Sequence, residues 1–247
     1  MDPLRPDRAL LAKAATVIRR GGLVAFPTET VYGLGANAFD EGAVGRVFAA
    51  KERAADDPLI VHLRDIAELP RVTSGVPALA RRLAEVHWPG PLTLVLPKSG
   101  AIPANVTAGL QSVAVRVPAH AVARGLIGAA GVPVAAPSAN RFTRTSATTA
   151  AHVLEDLAGR VDLVLDGGAT EAGIESTVVE VDDETVRLLR PGALTLEAIQ
   201  QTLRDAGVGA EVLLGGRQKA SPGMMERHYA PRARLVYVRG PLAATLI

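Results

Sequence analysis

Short apolar runs alternate with helix-patterned segments along most of this 247-residue chain. Helical spacing of apolar side chains predicts six helices, and the apolar runs between them predict eight strands. Two pairs of strands, 92–96 with 112–117 and 176–181 with 185–189, follow one another without an intervening helix. Because strands joined in this way usually pair antiparallel, we expect a mixed sheet and not a purely parallel one.

The predicted fold class is α/β (α+β by some schemes), with a single twisted mixed β-sheet flanked by helices. Residues 8–206 form the predicted domain, and 207–232, rich in glycine and proline, predict a linker. Residues 233–247 contain one more strand, the expected start of a truncated C-terminal domain. The predicted helices cover 7–20, 40–53, 76–86, 119–130, 148–157 and 195–206; the remaining predicted strands cover 23–26, 58–63, 132–136 and 161–165.

Composition and missing motifs exclude several classes of protein. Cysteine is absent, so disulfides and thiolate sites are excluded. The formal net charge is +2, with no basic run or basic–aromatic stripe of the kind that binds nucleic acid. The chain has no P-loop, no G-x-S-x-G elbow and no H-E-x-x-H zinc motif. It also has no signal peptide and no apolar segment long enough to span a bilayer, which predicts a cytoplasmic protein.

Polar residues crowd the stretch Phe26–Gly35, directly after the apolar run Leu23–Phe26. The stretch is either a polar turn or one wall of a ligand site, since open α/β sheets bind ligands beyond their strand ends. Residues 33–38 fit the dinucleotide pattern G-x-G-x-x-A, but six residues separate the strand from Gly33. A dinucleotide site is therefore disfavoured, and we expect Gly33 and Gly35 to let the backbone turn close to a substrate.

Several downstream residues allow both a functional and a purely structural interpretation. Lys51 and Arg53 either form a phosphate clamp or stabilise a helix C-terminus, and they converge on one ligand only if the helix has ended there. Arg116 alternates with three valines, so it lies on the opposite face of its strand, as an anion ligand or as an exposed residue. The same choice between a ligand and a turn, cap or core residue applies to His62, Ser138, Asn140, Ser146 and Arg190.

Taken together, these segments resemble the YrdC-like family, the threonylcarbamoyl-AMP synthases of tRNA modification. The resemblance covers residues 8–206, and the region around 221–231 resembles the linker of the longer, two-domain form. Eight motifs occur in the family's order: Pro-Thr-Glu-Thr-Val-Tyr-Gly-Leu (27–34), Lys-x-Arg (51–53), Pro-Leu-Ile-Val-His (58–62), Pro-Gly-Pro-Leu-Thr (89–93), Val-Arg-Val-Pro (115–118), Pro-Ser-Ala-Asn (137–140), Glu-Ser-Thr-Val-Val (175–179) and Arg-Pro-Gly (190–192).

The resemblance implies a YrdC-like sheet with a concave basic cleft. It implies a nucleotidyltransferase that converts L-threonine, bicarbonate or CO2, and ATP with Mg2+ into threonylcarbamoyl-AMP and pyrophosphate. Other tRNA-modification proteins then transfer the threonylcarbamoyl group to tRNA, so this protein's own tRNA contact is expected to be weak or indirect. Two alternatives remain: a non-catalytic RNA-binding module, and a related carbamoyl-adenylate-forming activity.

The resemblance also assigns roles to residues of this chain. Lys51 and Arg53 would be catalytic and hold the ATP phosphates, and Arg116 would hold the threonine carboxylate. Asp57 departs from the family, which more often has asparagine there, and a carboxylate near phosphates needs a compensating cation. The remaining threonine contacts are Thr30, His62, Ala136 and Ser176, and the remaining nucleotide contacts are Asp57, Ser112, Ser138, Asn140, Ser146 and Arg190, with His228 and Tyr229 of the linker covering the nucleotide.

Overall fold

The computed structural model describes residues 6–54, 57–207 and 212–215. The helices pack against a single mixed β-sheet. Within these ranges the helices are α1 (Arg8–Arg19), α2 (Glu41–Lys51), α3 (Ala78–His87), α4 (Ala121–Ala130), α5 (Ala150–Leu157) and α6 (Leu196–Asp205). The strands are β1 (Val24–Phe26), β2 (Gly33–Asn37), β3 (Ile60–His62), β4 (Leu92–Pro97), β5 (Ser112–Arg116), β6 (Val134–Ala135), β7 (Leu163–Val164), β8 (Thr177–Val181), β9 (Val186–Arg190) and β10 (Val212–Leu214).

The strand order is β10-β9-β8-β4-β5-β3-β6-β2-β1-β7, with both parallel and antiparallel neighbours. The two predicted hairpin pairs are confirmed, because β4 pairs antiparallel with β5 and β8 pairs antiparallel with β9. The parallel pair that matters most is β3 with β5, where His62 lies opposite Arg116. Both strands therefore end at the same edge of the sheet and deliver two polar side chains there.

The stretch after β1 differs from the sequence-based expectation. Residues 33–37 form strand β2, which runs antiparallel to β1 with Gly33 opposite Phe26. A Cβ atom on Gly35 would lie 2.7 Å from the Phe26 ring and 2.7 Å from Cγ1 of Val134. The expectation that these glycines turn the backbone is thus wrong: they lie in a strand, and Gly35 leaves room for an aromatic ring packed across the sheet.

The two faces of the central strands pack differently, as the alternation in β5 predicts. Val113, Val115 and Val117 belong to the main core under the helices. Ala114 lies on the other face, in a small apolar cluster that includes Ile60 of β3. Arg116 and His62 follow on this second face, so the predicted placement of Arg116 opposite the valines is confirmed, and the polar site adjoins an apolar floor.

Helix ends follow the residues that the sequence offers as caps. Asp40 accepts a hydrogen bond from the Ala43 amide at 3.0 Å and so begins α2 as predicted. At the other end, α2 stops at Lys51, and Glu52 adopts a left-handed conformation with φ 55°. The helix therefore ends between the two cations of the Lys-x-Arg motif, the condition under which they can converge.

Part of the predicted linker is ordered structure. Val212–Leu214 form β10, which pairs parallel with β9. The predicted domain start at 233–247 lies outside the described residues. No helix in the described part of the chain has the length and apolar character needed to cross a membrane.

Candidate active site

A cavity lies where the β1–β2 connection, the ends of β3 and β5, the segment after β6 and the start of β8 meet. Three arginines line it, so the predicted basic cleft is present. The structure brings to this one cavity eight of the residues proposed from sequence: Thr30, Arg53, His62, Arg116, Ala136, Ser138, Ser176 and Arg190.

Arg116 is buried and held on three sides. Its Nε donates to the Gly90 carbonyl at 3.1 Å, and one terminal nitrogen donates to Thr30 Oγ1 at 3.0 Å. The other terminal nitrogen pairs with Glu29 Oε1 at 2.6 Å. A guanidinium has five N–H donors, so two remain beyond these three contacts, enough for one carboxylate.

Glu29 is a site residue that the sequence analysis did not identify. Its side chain is 11% exposed and is the counter-ion of Arg116. Burial raises the pKa of Glu29, but the charge and hydrogen bond of Arg116 outweigh burial, and the net pKa is lowered. Glu29 does not line the cavity, so it supports Arg116 from behind. Its place inside the motif 27–34 was the available signal, but the ion-pair partner is 87 residues away in sequence.

Thr30 is oriented by a local hydroxyl network. Thr28 Oγ1 lies 2.9 Å from Thr30 Oγ1 and donates to the Val31 carbonyl at 2.6 Å. The same oxygen accepts from the Thr30 and Val31 amides at 3.2 Å. This threonine turn fixes the backbone after β1, so the Thr30 hydroxyl meets both Arg116 and the cavity.

His62 is buried and neutral at physiological pH. Burial, reinforced by the positive charge of Arg116, lowers the pKa of His62 from 6.5 to about 3. Its Nδ1 lies 3.3 Å from the Ile60 carbonyl oxygen. The Phe26 ring packs edge-on against His62 with centroids 6.2 Å apart. His62 therefore offers a fixed, uncharged hydrogen-bonding ring.

The lowered pKa of His62 predicts a measurable loss of stability in acid. Between about pH 6.5 and pH 3 the unfolded chain holds a proton on this histidine that the folded chain lacks. The free energy of unfolding should then fall as the pH falls, by up to about 1.4 kcal/mol per pH unit. Urea unfolding at pH 5.0, 5.75 and 6.5 should show a shallower slope for His62→Gln, and equal slopes in the two proteins would contradict this assignment.

Lys51 is buried and points at the loop after β6. Its Nζ donates to the Asn140 carbonyl at 2.5 Å and also to the Ser138 carbonyl. Burial, and then the charge of Arg53, lower the pKa of Lys51 well below its ordinary value. In this conformation Lys51 holds the Pro-Ser-Ala-Asn segment in place and does not itself line the cavity. Its assignment to the ATP phosphates stays a prediction.

Arg53 and Asp57 form a buried ion pair at 2.8 Å. Arg53 also donates to the carbonyls of Asp57 and Pro58 at 3.0 and 2.9 Å, and its guanidinium lies 5.9 Å from the centre of the Phe48 ring. Arg53 is thus the cation that compensates the unusual carboxylate at position 57. Arg53 lines the cavity, whereas Asp57 stands behind it.

Ser176 and Arg190 are joined across β8 and β9. Arg190 donates to the Ser176 carbonyl at 2.9 Å and to its hydroxyl at 3.3 Å, and the hydroxyl lies 2.8 Å from Thr93 Oγ1. A Cβ atom on Gly192 would lie only 2.4 Å from the Glu175 carbonyl oxygen. The Arg-Pro-Gly turn therefore needs glycine, because its backbone packs directly on the strand that carries Ser176.

The other predicted nucleotide contacts spread outward from this cavity. The Asn140 amide donates to the carbonyls of Arg141 and Arg144 at 2.9 Å, while its buried Oδ1 has no hydrogen-bond partner among the described residues. Ser146 lines a neighbouring polar cavity and donates to Glu175, which lines the first one. Glu175, like Glu29, was not identified from sequence.

Ser112 lies apart from this group. It shares a face of β5 with Arg116, but it sits four residues earlier, roughly 13 Å along the strand, and borders a different cavity. His228 and Tyr229 lie outside the described residues. Among the residues that are described, no group of three or more carboxylate or histidine side chains is arranged to hold a metal ion.

Comparisons with known proteins show which family this chain resembles. A family model for Sua5, YciO and YrdC, described as "Telomere recombination", matches residues 16–192. A second, described as "Threonylcarbamoyl-AMP synthase, C-terminal domain", matches residues 194–246, so the C-terminal resemblance begins before the predicted linker. The threonylcarbamoyl-AMP synthase of Pyrococcus abyssi is 50% identical over 92% of this chain and 67% of its own length. That of Bacillus subtilis is 45% identical over 97% of this chain and 69% of its own length.

Solved structures extend the likeness to three dimensions. Pyrococcus abyssi Sua5 complexed with L-threonine aligns with a TM-score of 0.87 at 47% identity, covering 93% of this chain and 68% of that one. Escherichia coli YciO aligns with a TM-score of 0.72 at 24% identity, covering 81% of this chain and 97% of that one, which shows a shared fold. With the family model matching well over half of its length, this chain belongs to the Sua5/YciO/YrdC family.

Proposed function

We propose that this protein is an L-threonylcarbamoyladenylate synthase, making threonylcarbamoyl-AMP and pyrophosphate from L-threonine, bicarbonate or CO2, and ATP. The observation that carries the proposal is the cavity in which Arg116, with two N–H donors to spare, lies beside His62 and Thr30. A relative 47% identical to this chain is described in complex with L-threonine, which supports an amino-acid site of this kind.

The amino acid would bind through its carboxylate to Arg116. The Thr30 and Ser176 hydroxyls and the neutral His62 ring are hydrogen-bonding groups for the substrate's own hydroxyl, and Ala136 and Ile60 supply apolar surface for its methyl group. Because His62 is uncharged, it adds no second positive charge next to Arg116. A small cavity with this mixture of groups favours a short hydroxylated side chain.

ATP would bind beside the amino acid, on the side of Arg53 and Arg190. Both guanidiniums line the cavity and offer donors to phosphate oxygens. Lys51 would contribute its positive charge from behind the Pro-Ser-Ala-Asn segment that it holds. Ser138, Asn140 and Ser146 would surround the nucleotide. Ser112 and the linker residues His228 and Tyr229 complete the proposed nucleotide contacts.

The reaction has two steps, and neither requires a protein nucleophile. The threonine ammonium group releases a proton to solvent, its nitrogen adds to CO2 to form the N–C bond, and a second proton leaves to solvent to give the carbamate. A carbamate oxygen then attacks the α-phosphorus of ATP, and the bond to pyrophosphate breaks. The chain's own contribution is to hold two anionic reactants together and to stabilise charge with fixed arginines and Lys51.

Mg2+ fits this site as an ion that arrives with ATP. Protein sites for Mg2+ often combine substrate phosphates with one or two carboxylates, and the described residues offer no larger cluster of ligands. Asp57 stands behind the cavity wall and is paired with Arg53, so the phosphates of ATP would be the main ligands of the ion. When bound, Mg2+ would neutralise phosphate charge.

We further propose that the product passes to other proteins that modify tRNA in the cytoplasm, and that this protein touches tRNA weakly or only through them. The related carbamoyl-adenylate activity has no separate observation in its favour. The RNA-binding alternative predicts strongly salt-dependent RNA affinity and no pyrophosphate release.

Pyrophosphate release tests the proposal directly. The protein is incubated with ATP, Mg2+, bicarbonate and each amino acid in turn, and release should be highest with L-threonine, with omission of bicarbonate as the control. Release that is absent with every amino acid, combined with salt-dependent RNA binding, would favour the RNA-binding module. Equal release with all amino acids would refute the substrate assignment.

A further inference from the structure

Glu175 is the one carboxylate among the described residues that line the cavity. Glu29 and Asp57 do not line the cavity. Glu29 pairs with Arg116 at 2.6 Å, and Asp57 pairs with Arg53 at 2.8 Å. The remaining charged lining residues are Arg53, Arg116 and Arg190. A single negative group therefore faces three positive ones.

The backbone and one oxygen of Glu175 are fixed. The Ala193 amide donates to the Glu175 carbonyl at 2.9 Å, and the close approach of Gly192 pins the same peptide. Ser146 donates its hydroxyl hydrogen to Oε1. No hydrogen bond joins Oε2 to any group in the described part of the chain. Glu175 thus presents one oriented, available carboxylate oxygen.

An α-amino acid needs two opposite charges matched within a short distance. Its carboxylate and ammonium groups are attached to one carbon, so the Arg116 donors and an ammonium acceptor must face each other across a small space. Arg116 and Arg53 have carboxylate partners behind the wall, but their guanidiniums still face the cavity, so an ammonium group bound beside them needs an anion of its own. The hydroxyls and the neutral His62 ring accept hydrogen bonds but carry no negative charge.

We propose that the Glu175 carboxylate binds the α-ammonium group of the amino-acid substrate, while Arg116 binds its carboxylate. This inference rests on the proposed function, because it assigns a partner to the substrate of the same site. Glu175 contacts Ser146 of the neighbouring polar cavity, and its charge acts on Lys51. The substrate nitrogen would therefore lie toward the nucleotide side, where the carbamate must meet the α-phosphorus.

The test measures amino-acid binding in the absence of ATP and Mg2+. Isothermal titration with L-threonine should show Glu175→Gln binding about 10- to 100-fold more weakly than the unmodified protein, the range for one charge-assisted hydrogen bond. Glu171→Gln is the matched control, since Glu171 is an exposed carboxylate in the same segment that does not line the cavity. It should bind threonine as the unmodified protein does.

A ligand without the ammonium group separates recognition from structural damage. The analogue is 2,3-dihydroxybutanoate of threonine's configuration, in which a hydroxyl replaces the amine, and Glu175→Gln should bind it no more weakly than the unmodified protein does. Glu175→Asp should recover part of the threonine affinity, because it restores the charge.

Three results would overturn the inference while leaving the proposed function intact, provided that the unmodified protein binds threonine and releases pyrophosphate. Glu175→Gln could bind threonine normally, could lose threonine and the analogue equally, or could show a defect only in the Mg2+ dependence of ATP binding. The last result would make Glu175 a metal ligand. If the unmodified protein binds no threonine, the substrate assignment and this inference both fail.

Discussion

Replacing Arg116 with glutamine is expected to reduce threonine-dependent pyrophosphate release by at least about 1,000-fold and also to destabilise the fold. The activity falls because the donors for the substrate carboxylate are lost, and a fixed donor of this kind is worth roughly 10²–10³ in rate even for one hydrogen bond. Stability falls because Glu29, 11% exposed, is left as a buried carboxylate without its counter-ion. Breaking a buried pair from one side costs about 3–5 kcal/mol.

The double variant Arg116→Gln with Glu29→Gln separates these two effects. It removes both charges, so most of the lost unfolding free energy in urea should return while the pyrophosphate signal stays lost. Arg71→Gln is the control, since Arg71 pairs with Glu68 at 3.0 Å in a partly exposed position away from the cavity. If the double variant regained activity, Arg116 would not be the carboxylate ligand.

Lys51→Met is expected to reduce pyrophosphate release by about 100- to 1,000-fold while changing the free energy of unfolding by less than about 2 kcal/mol. Methionine fills nearly the same volume without a charge, which removes the desolvation penalty of a buried ammonium. Against this gain, the carbonyls of Ser138 and Asn140 lose their donor, at about 1–3 kcal/mol each when fully buried. These opposing changes largely offset each other.

The activity loss has a structural cause that can be followed separately. Without the Lys51 ammonium, the Pro-Ser-Ala-Asn segment loses its anchor, and amide hydrogen exchange in residues 138–140 should speed up. Lys98→Met is the matched control, because Lys98 also donates to a backbone carbonyl, that of Ile102 at 3.3 Å, far from the site in the fold. Near-normal pyrophosphate release by Lys51→Met would show that the reaction needs neither the charge of this lysine nor its hold on the segment.

The sequence predicted the local elements well where hydrophobic periodicity and caps agree. All six helices and both hairpins appear, and Asp40 caps α2 as expected. The strand at 33–37 was missed because glycines at positions 33 and 35 depress strand propensity and suggest a turn. The segment is a strand because it pairs with β1 and β6, and the Phe26 ring fills the space above Gly35.

The residue types of the site were readable from sequence, but their partners were not. Position in an apolar strand placed Arg116 on the second face of the sheet, and motif order connected it with His62 and Thr30. That His62 lies opposite Arg116 follows only from the parallel register of β3 and β5, which are 50 residues apart in the chain. Neither periodicity nor motif spacing specifies such a register.

The motif after β1 shows most clearly what the sequence determined and what only the tertiary structure decided. Sequence alone determined that a polar segment follows a buried strand, that cations and hydroxyls recur beyond later strands, and that the chain resembles one family. Only the tertiary structure decided that Glu29 neutralises Arg116 from behind, that Lys51 holds a loop, and that Glu175 faces the cavity. The physical reason is that ion pairing and desolvation depend on distances between residues far apart in the chain, and these distances exist only after the sheet has assembled.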